Sequence, residues 1–546
     1  MKYLVSALVG STMLASSSFA LTAELPEHVL LDGGYSLSQD QTFRIWALDN
    51  LSTYDPGTAE GSDASDVNRQ QFEGLFTQDN TGNLVPALAV ETIVSEDKKT
   101  YTFKLRQSAK WSDGKPVTAH DFVYAWRRVA NPETASPYSY YMSMMQVKNA
   151  ADITGGFQPP ENLGVKAIDD YTLQVELEQP IPYFPKMLVL STTYPVPRWA
   201  IEEHGDRWVR PENIVVNGAF KITENNLGEN YVLERNPMYW DDANTVLDKV
   251  VFEIIPSENQ AYLRYLAGEL DWTRTPTGQY PRIKKQYPDQ VHNVPRFCTY
   301  YANFNLRDDG PEAFQDWRVR MALSLAVDRD ILIDKVMQEG QTPAYSFTHD
   351  KTAGYTVPHL QWMDWSQEKR DQRARELILE AGYGPGNPLE FEYVYNTSEG
   401  HKKIAIFLQQ QWKTKLNVKM TINNMEWKTL LETRSNGDFE MSRNAWCGDY
   451  NEASTFVDLY HTDSTQNDSK YSSVQVDNLL ELSKTSDNPA PLYTMIEGFV
   501  QEEAGIIPIY HYTSPFVLNP AVKGWPFDNV QQFFYLKNFY KVDRDE

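Results

Sequence analysis

A carboxylate that follows an alternating segment is the residue of this sequence best suited to receive a cation. Residues 439–446 alternate apolar and more polar side chains, which predicts a strand. The strand would lead into Asp449, which lies between Gly448 and Tyr450. In a cleft that excludes water this carboxylate would bind an ammonium group strongly, and without a partner it would be costly to bury. The alternative is that Asp449 only caps a turn or a helix, and this stretch alone does not decide between the two.

Residues for nucleophilic catalysis occur only as isolated motif matches. Ser486 opens an SDN triplet and Ser95 an SxxK motif, both of which occur in β-lactam-interacting enzymes. About 390 residues separate the two and no KTG follows, so we interpret them as coincidence and keep an exported serine hydrolase as the alternative from another class. The nine histidines show no metal-ligand spacing and no glycine-rich phosphate loop is present. We therefore expect neither a metal nor a cofactor.

The chain that must position these residues alternates helices and strands, which predicts a mixed α/β fold. Thr118 with Asp121 three residues later forms a capping box that would start a helix. Residues 165–177 predict a hairpin that turns at Asp169 and Asp170. Further helices are predicted over residues 260–270, 316–327, 328–338, 366–381 and 401–415, and further strands over residues 99–106, 249–255, 418–422 and 506–512.

The N-terminus predicts export. Residues 1–20 combine Lys2, an apolar run and a small-residue end, which is typical of a signal peptide cut after Ala20. No cysteine near this end could carry a lipid, and no later stretch has the roughly 18 apolar residues of a membrane helix. The sequence therefore predicts a soluble periplasmic or secreted protein. Its 546 residues are too many for one core and indicate two or three domains.

Composition restricts the partners. The formal net charge of −24 argues against nucleic acid, because phosphate binding needs a basic face. Hydrophobic residues make up 41% of the chain, which is enough to build packed cores. The two cysteines are Cys298 and Cys447, and in an oxidising compartment such a pair is more often a disulfide than two free thiols.

Segments spread over nearly the whole chain resemble the periplasmic oligopeptide-binding proteins of peptide ABC transporters. This family of large solute-binding proteins also has dipeptide-binding and murein-peptide-binding members. The matching segments include YTFKLRQSAKWSDGKPVTAHDFVYAWRR at 101–128, LGVKAIDDYTLQVEL at 163–177, ALSLAVDRD at 322–330 and AWCGDYNEASTF at 445–456. The resemblance implies an α/β clamp of three discontinuous domains in two lobes, which closes on an extended peptide. The first implied domain combines residues 21–73, 198–300 and 516–546. The second comprises residues 74–197 and the third residues 301–515.

The resemblance also implies roles for individual residues. Asp449 matches the aspartate that receives the peptide's α-ammonium group, and Cys298 and Cys447 match a disulfide. Backbone groups of Ala445 and Cys447 would pair with the peptide as an added strand, and Tyr138 would face it from the second domain. Such pairing makes binding indifferent to peptide sequence. The resemblance implies three cationic groups for the peptide carboxylate, which are Arg443, Arg434 and His401. It also implies two aromatic residues for the side-chain pockets, which are Trp427 and Trp446.

The implied function is a monomeric receptor that delivers short peptides to an inner-membrane ABC permease. A murein-tripeptide receptor is the alternative within the family. Taken from the residues alone, Arg434 and Arg443 could be surface residues, His401 could simply begin a helix, and the two tryptophans are as consistent with a core as with a pocket wall. The chain has Ala445 and Gly448 where related members of the family have glycine and alanine. These departures concern which peptides bind, because Asp449 is unchanged.

Overall fold

The structure is a computed structural model that describes residues 36–59, 61–464, 466–486 and 488–543. The predicted signal peptide at 1–20 and Asp487 of the SDN match lie outside the described residues. None of the described helices has the length and apolar character needed to cross a membrane.

The described chain contains nineteen strands, several of them only two or three residues long. They are β1 Thr42–Ala47, β2 Phe76–Gln78, β3 Leu84–Pro86, β4 Ala89–Val94, β5 Thr100–Leu105, β6 Val165–Asp169, β7 Thr172–Glu176, β8 Phe220–Asn226, β9 Asn230–Arg235, β10 Lys249–Ile254, β11 Trp272–Arg274, β12 Val291–Phe304, β13 Thr342–Pro343, β14 Glu390–Asn396, β15 Lys419–Met425, β16 Met441–Cys447, β17 Ile506–Leu518, β18 Val522–Lys523 and β19 Tyr540–Lys541.

Seventeen α-helices alternate with these strands in the same described ranges. They are α1 Ser62–Gln71, α2 Ala119–Ala130, α3 Ser139–Met144, α4 Ala150–Thr154, α5 Phe184–Met187, α6 Arg198–His204, α7 Glu258–Leu266, α8 Tyr280–Gln286, α9 Glu312–Gln315, α10 Trp317–Leu325, α11 Arg329–Ile331, α12 Gln367–Glu380, α13 Glu399–Leu416, α14 Trp427–Asn436, α15 Ser454–Val457, α16 Val474–Thr485 and α17 Ala490–Glu502. The alternation confirms the predicted α/β class.

One large mixed sheet organises the molecule. Its strand order is β15-β14-β16-β12-β17-β11-β1-β10-β9-β8, and β13 also pairs with β17. A separate antiparallel sheet has the order β4-β5-β7-β6. The long strands β12 and β17 pair with each other over most of their length, with a register shift between Pro295 and Thr299. They therefore connect the two ends of the large sheet.

Two main hydrophobic cores lie on either side of these long strands. One core joins the four-stranded sheet and α2 to one end of the large sheet, and includes Phe43, Phe103, Trp126 and Leu233. The other surrounds the opposite end of the large sheet and includes Ala302, Leu325, Tyr393, Trp412 and Ile507. This α/β architecture, with two cores joined by long strands, agrees with a two-lobed clamp.

Local sequence signals position most elements correctly. Thr118 and Asp121 form the predicted capping box at the start of α2. Asp316 caps α10, and Asp328 accepts a hydrogen bond from the backbone N–H of Ile331 at the start of α11. Gly382, with φ of +89°, follows the end of α12 in a conformation that favours glycine. The predicted capping box is therefore confirmed.

Three predicted boundaries are wrong. The helix predicted over 260–270 is α7, Glu258–Leu266, because the chain already turns at Gly268 with φ of +78°. The strand predicted over 506–512 continues to Leu518, where it pairs with both β11 and β12. The segment predicted as a strand from 439 becomes β16 only at Met441, and Ser442 and Asn444 on its more polar face are buried like Met441. Long-range pairing, which local patterns do not contain, sets the two strand boundaries.

Candidate functional site

The C-terminal half of β16 has an open edge. On one side β16 pairs antiparallel with β12 from Cys298–Cys447 to Phe304–Met441. On its other side β14 pairs only at Tyr393–Met441 and Val394–Ser442. No strand of the described chain therefore pairs with residues 443–447 along that edge. An extended ligand can add to such an edge as another strand.

Hydrogen-bond alternation decides which backbone groups face this edge. At one end of the β12–β16 ladder the N–H of Gly448 donates to the carbonyl of Phe297 at 2.8 Å, and at the other the N–H of Asn305 donates to the carbonyl of Glu440 at 3.0 Å. In an antiparallel pair, successive residues between two such positions point their backbone N–H and C=O groups alternately towards the partner strand and away from it. Ala445 and Cys447 therefore turn their N–H and C=O groups away from β12, towards the open edge. The N–H of Ala445 donates to the Asn444 side chain at 2.8 Å in this state.

Asp449 follows this edge with one carboxylate oxygen that has no partner. Its Oδ2 is buried and forms no hydrogen bond with the described residues. Its backbone N–H donates to Thr455 Oγ1 at 3.0 Å, and its carbonyl accepts from Gln531 Nε2 at 3.2 Å. Burial raises the pKa of the Asp449 carboxyl to about 7. The backbone is thus fixed, while the carboxylate lacks the positive or hydrogen-bonding partner that burial normally requires.

Residues of the core that includes Phe103 and Trp126 approach Asp449. Tyr183 stacks on Tyr450 with ring centroids 5.6 Å apart, and Lys186 Nζ donates to the carbonyl of Asn451 at 3.2 Å. Burial and then the charge of Asp449 raise the pKa of Tyr141, so Tyr141 is an electrostatic neighbour of the carboxylate. The two lobes therefore meet at the loop that carries Asp449.

Tyr138 lies in this approaching segment. It immediately precedes α3, and its ring lies 5.8 Å from that of Tyr140 and 6.4 Å from that of Tyr141. Tyr138 is thus a neighbour of Tyr141, on whose pKa the charge of Asp449 acts. Direct pairing of Tyr138 with a ligand stays a prediction.

Cys298 and Cys447 form the predicted disulfide, with Cα atoms 4.0 Å apart. The bond joins β12 to β16 two residues before Asp449. Cys298 is buried whereas Cys447 is exposed, as expected for a residue at an open edge. Next to it, a Cβ on Gly448 would overlap the ring of Phe297 and lie 2.9 Å from Thr455 Cγ2. Phe297 therefore explains why glycine precedes Asp449 in this chain.

Arg443 is a buried cation without a carboxylate partner among the described residues. It is 7% exposed, its Nη2 donates to the Tyr512 hydroxyl at 3.0 Å, and its Nε is buried without a hydrogen bond. Its guanidinium lies 5.3 Å from the ring of Tyr300 and 5.9 Å from that of Trp427. A cation held in this way is suited to a carboxylate from outside the chain.

Arg434 differs from Arg443 because the protein already neutralises it. Its Nε lies 3.1 Å from Asp468 Oδ2, and its Nη1 donates to Asn444 Oδ1 at 2.5 Å. Asn444 Nδ2 also reaches Asp468, at 3.3 Å. The surface-residue alternative is excluded, since Arg434 is buried. Its pairing makes it a support for Asn444 in this state, and its predicted contact with a ligand carboxylate stays a prediction.

His401 was expected to supply a cationic group, and in this structure it is neutral. Burial, and secondly the charge of Arg443, lower the pKa of His401 to about 3. Its ring lies 5.6 Å from Tyr300 and its Nδ1 is buried without a partner in the described chain. Helix α13 starts at Glu399, so His401 lies in its first turn. Without a ligand this imidazole is neutral and can hydrogen-bond, and its predicted contact with a peptide carboxylate stays a prediction.

The two predicted pocket aromatics have different environments. Trp427 begins α14 and is 47% exposed beside Arg443. Trp446 is partly buried against a core that contains Phe297 and Phe456, and its indole N–H donates to the carbonyl of Thr455 at 2.6 Å. Trp427 is therefore accessible to a ligand, and Trp446 mainly stabilises the strand end. Their role as pocket walls stays a prediction.

Sequence reasoning missed several residues of this site. Tyr300, Tyr512 and Asp468 orient the two arginines, and Gln531 holds the loop of Asp449. Tyr512 ends a segment that the sequence predicts as a strand, and its alternation with buried residues could have indicated this face, whereas no strand is predicted at Tyr300. No local signal identifies Asp468 or Gln531, because each approaches from a distant loop.

The geometry as a whole fits a zwitterion with an extended backbone. Asp449, with one unpartnered carboxylate oxygen, follows one end of the open edge. Arg443, which has no carboxylate partner in the described chain, lies on the strand six residues earlier, and backbone groups that face the edge lie between them. Ser95 of the SxxK match is instead in a turn, where its hydroxyl donates to Asp97 and accepts from the Thr100 N–H. In the described residues no group of three or more His, Cys, Asp or Glu side chains is arranged to hold a metal.

Comparisons with known proteins agree over nearly the full length. Residues 83–468 match the bacterial extracellular solute-binding proteins, family 5, in the middle region of that family. The chain is 41% identical to the periplasmic oligopeptide-binding protein OppA of Salmonella typhimurium, over 99% of this chain and 98% of the relative.

Solved structures give the same result. That of the Escherichia coli murein tripeptide binding protein MppA superposes with a TM-score of 0.84 and 38% identity, and covers 93% of this chain and 100% of that one. The structure of Haemophilus influenzae OppA in complex with the peptide RPPGFSPFR superposes with a TM-score of 0.82 and 37% identity, and it covers the same shares of the two chains.

Proposed function

Because the chain belongs to the family 5 bacterial extracellular solute-binding proteins, we propose that it is a periplasmic receptor for short peptides. It captures an extended peptide between its two lobes and delivers it, as a monomer, to an ABC importer in the inner membrane. Related proteins are solute-binding proteins rather than enzymes, and we assign this chain no catalytic step. We further propose the three discontinuous domains given by the sequence, with boundaries near residues 73, 197, 300 and 515.

The observation that carries the proposal is the unpartnered carboxylate of Asp449 beside an open strand edge. A peptide's α-ammonium group supplies the missing cation, and its backbone pairs with Ala445 and Cys447. Arg443 takes the carboxylate, with His401 as a neutral hydrogen-bonding group beside it. Because the edge contacts only main-chain atoms, the pairing does not select side chains.

The test is to identify the small molecules that the mature protein releases on denaturation, by mass spectrometry. We expect a mixed population of peptides of roughly two to five residues, a length that an edge of this size can hold in extended form. Isothermal titration calorimetry of the emptied protein with trialanine then measures affinity. A protein that carries no peptide and binds no added peptide would refute the proposal.

Two variants separate the anchor from general damage. Asp449→Asn keeps the shape and removes the charge, so it should weaken trialanine binding about 100-fold or more, the effect of a lost buried charge pair. Asp97→Asn, at the exposed turn of Ser95, is the matched control and should bind as wild type. A single muropeptide in the released material would assign the receptor to murein peptides instead.

A further inference from the structure

Arg274 and Arg296 form a cationic pair that the proposed peptide site does not use. Arg274 ends β11, and Arg296 lies in the irregular part of β12 between Pro295 and Thr299. Both side chains are partly buried. In the described chain neither guanidinium forms a hydrogen bond or an ion pair, and Arg274 Nε is buried without a partner.

Tyr512 links this pair to the carboxylate end of the site. Strand β17 lies between β11 and β12, with Phe516 opposite Arg274. Strand alternation places Tyr512 on the same face of β17 as Phe516, four residues earlier. The Tyr512 hydroxyl accepts from Arg443, and Tyr512 also influences the pKa of Arg296. Arg274, Arg296 and Arg443 therefore belong to one continuous surface.

The nearby carboxylates offset the charge of the pair only in part, since none forms an ion pair with either arginine in the described chain. Asp63 and Asp66, both on α1, are the acidic groups that act on Arg296. Asp66 is already paired with Arg69, and burial raises its pKa to about 6. Burial and then the charge of Arg274 lower the pKa of Arg296, so the two guanidinium groups repel each other. This repulsion between two partly buried guanidinium groups is an unfavourable arrangement that an external anion would relieve.

We propose that Arg274 and Arg296 form a second carboxylate subsite, separate from Arg443, and that it selects peptides by the position of a carboxylate. Paired guanidinium groups suit a carboxylate because each offers a planar set of donors. That carboxylate is either an acidic side chain of the peptide or the C-terminus of a longer peptide. The inference rests on the proposed function, since it names a substrate class for the same cleft.

The first experiment compares matched peptides by titration calorimetry. Alanine-based tetrapeptides carry Glu or Gln at position two, three or four, each with a free or an amidated C-terminus, and hexa-alanine is tested in both C-terminal forms. If the subsite binds an acidic side chain, a Glu tetrapeptide at one of the three positions should bind at least ten-fold more tightly than the matching Gln peptide, whether the C-terminus is free or amidated. If the subsite binds the C-terminus of a longer peptide, amidation of hexa-alanine should lower its affinity ten-fold. The Glu and Gln tetrapeptides should then bind with equal affinity.

Variants assign the effect to the pair. Arg274→Gln and Arg296→Gln should each remove the selective gain while the Gln tetrapeptide binds as in wild type, and Arg296→Lys should retain part of the gain. Arg373→Gln, an exposed arginine of α12 paired with Glu376, is the control. The subsite is refuted if Glu and Gln peptides bind equally and the effect of amidation is the same in the variants, or if the variants weaken all peptides alike. If wild type binds no peptide at all, the proposed function itself fails.

Discussion

At the scale of single residues, the electrostatics of Asp449 make binding dependent on pH. Without ligand, burial raises the pKa of its carboxyl to about 7, whereas an ammonium partner favours the ionised form and lowers that pKa. Ligand binding therefore releases a proton below pH 7. We expect trialanine affinity to be highest near pH 7, to fall above about pH 8 because the peptide's own α-ammonium group loses its proton, and to fall towards ten-fold per pH unit between about pH 6.5 and 5. Titration calorimetry in buffers of different ionisation enthalpy measures both the affinity and the released proton.

The Asp449→Asn variant provides the internal check for that prediction. It should bind weakly with no pH dependence over the same range. The raised pKa also means that the native carboxylate destabilises the empty protein above pH 4, an effect complete above pH 7. Urea unfolding at pH 8 should therefore give the empty variant a free energy of unfolding about 1–3 kcal/mol higher than that of wild type. This difference should disappear near pH 4. Equal stability of the two proteins at pH 8 would contradict a desolvated carboxylate.

At the scale of elements, the end of β16 depends on the packing of Phe297 over Gly448. Gly448→Ala would place a Cβ inside the buried ring of Phe297, so the strand end or the ring must move. We expect a loss of about 1–3 kcal/mol in the free energy of unfolding and weaker peptide binding, because Asp449 is displaced. Gly386→Ala is the control, since no atom lies within 4 Å of its added Cβ. Unchanged peptide affinity in Gly448→Ala would show that the anchor does not depend on this contact.

The elements also show which information the sequence contains. Caps at Thr118, Asp316 and Asp328 act within three residues, so a local pattern predicts them. The pairing of Arg434 with Asp468 and the overlap of Phe297 with Gly448 join distant segments, and no local pattern contains them. The neutral state of His401 follows from burial, which also depends on the complete fold. The family resemblance identified Asp449, Arg443 and the disulfide, and the structure supplied their surroundings.

At the scale of the whole molecule, the contact of Tyr183 with Tyr450 joins the two lobes beside the anchor. Tyr183→Ala removes this stack and should increase the rate of peptide dissociation about ten-fold, because an aromatic pair contributes on the order of 1 kcal/mol beyond its buried area. Tyr183→Phe keeps the stack and should dissociate as wild type does. Stopped-flow displacement of a fluorescent peptide measures both rates. Equal rates for the alanine and phenylalanine variants would show that this contact does not hold the lobes closed.

The open edge of β16 also bears on self-association. A strand edge without a partner can pair with the same edge of another copy, which is the first step towards aggregation. Here the edge spans only residues 443–447, Arg443 places a charge on it, and the Asn444 side chain occupies the N–H of Ala445. An empty receptor therefore exposes little that a second copy could use as a template. We therefore expect the features that prepare the strand for a peptide to limit edge-to-edge pairing between ligand-free copies as well.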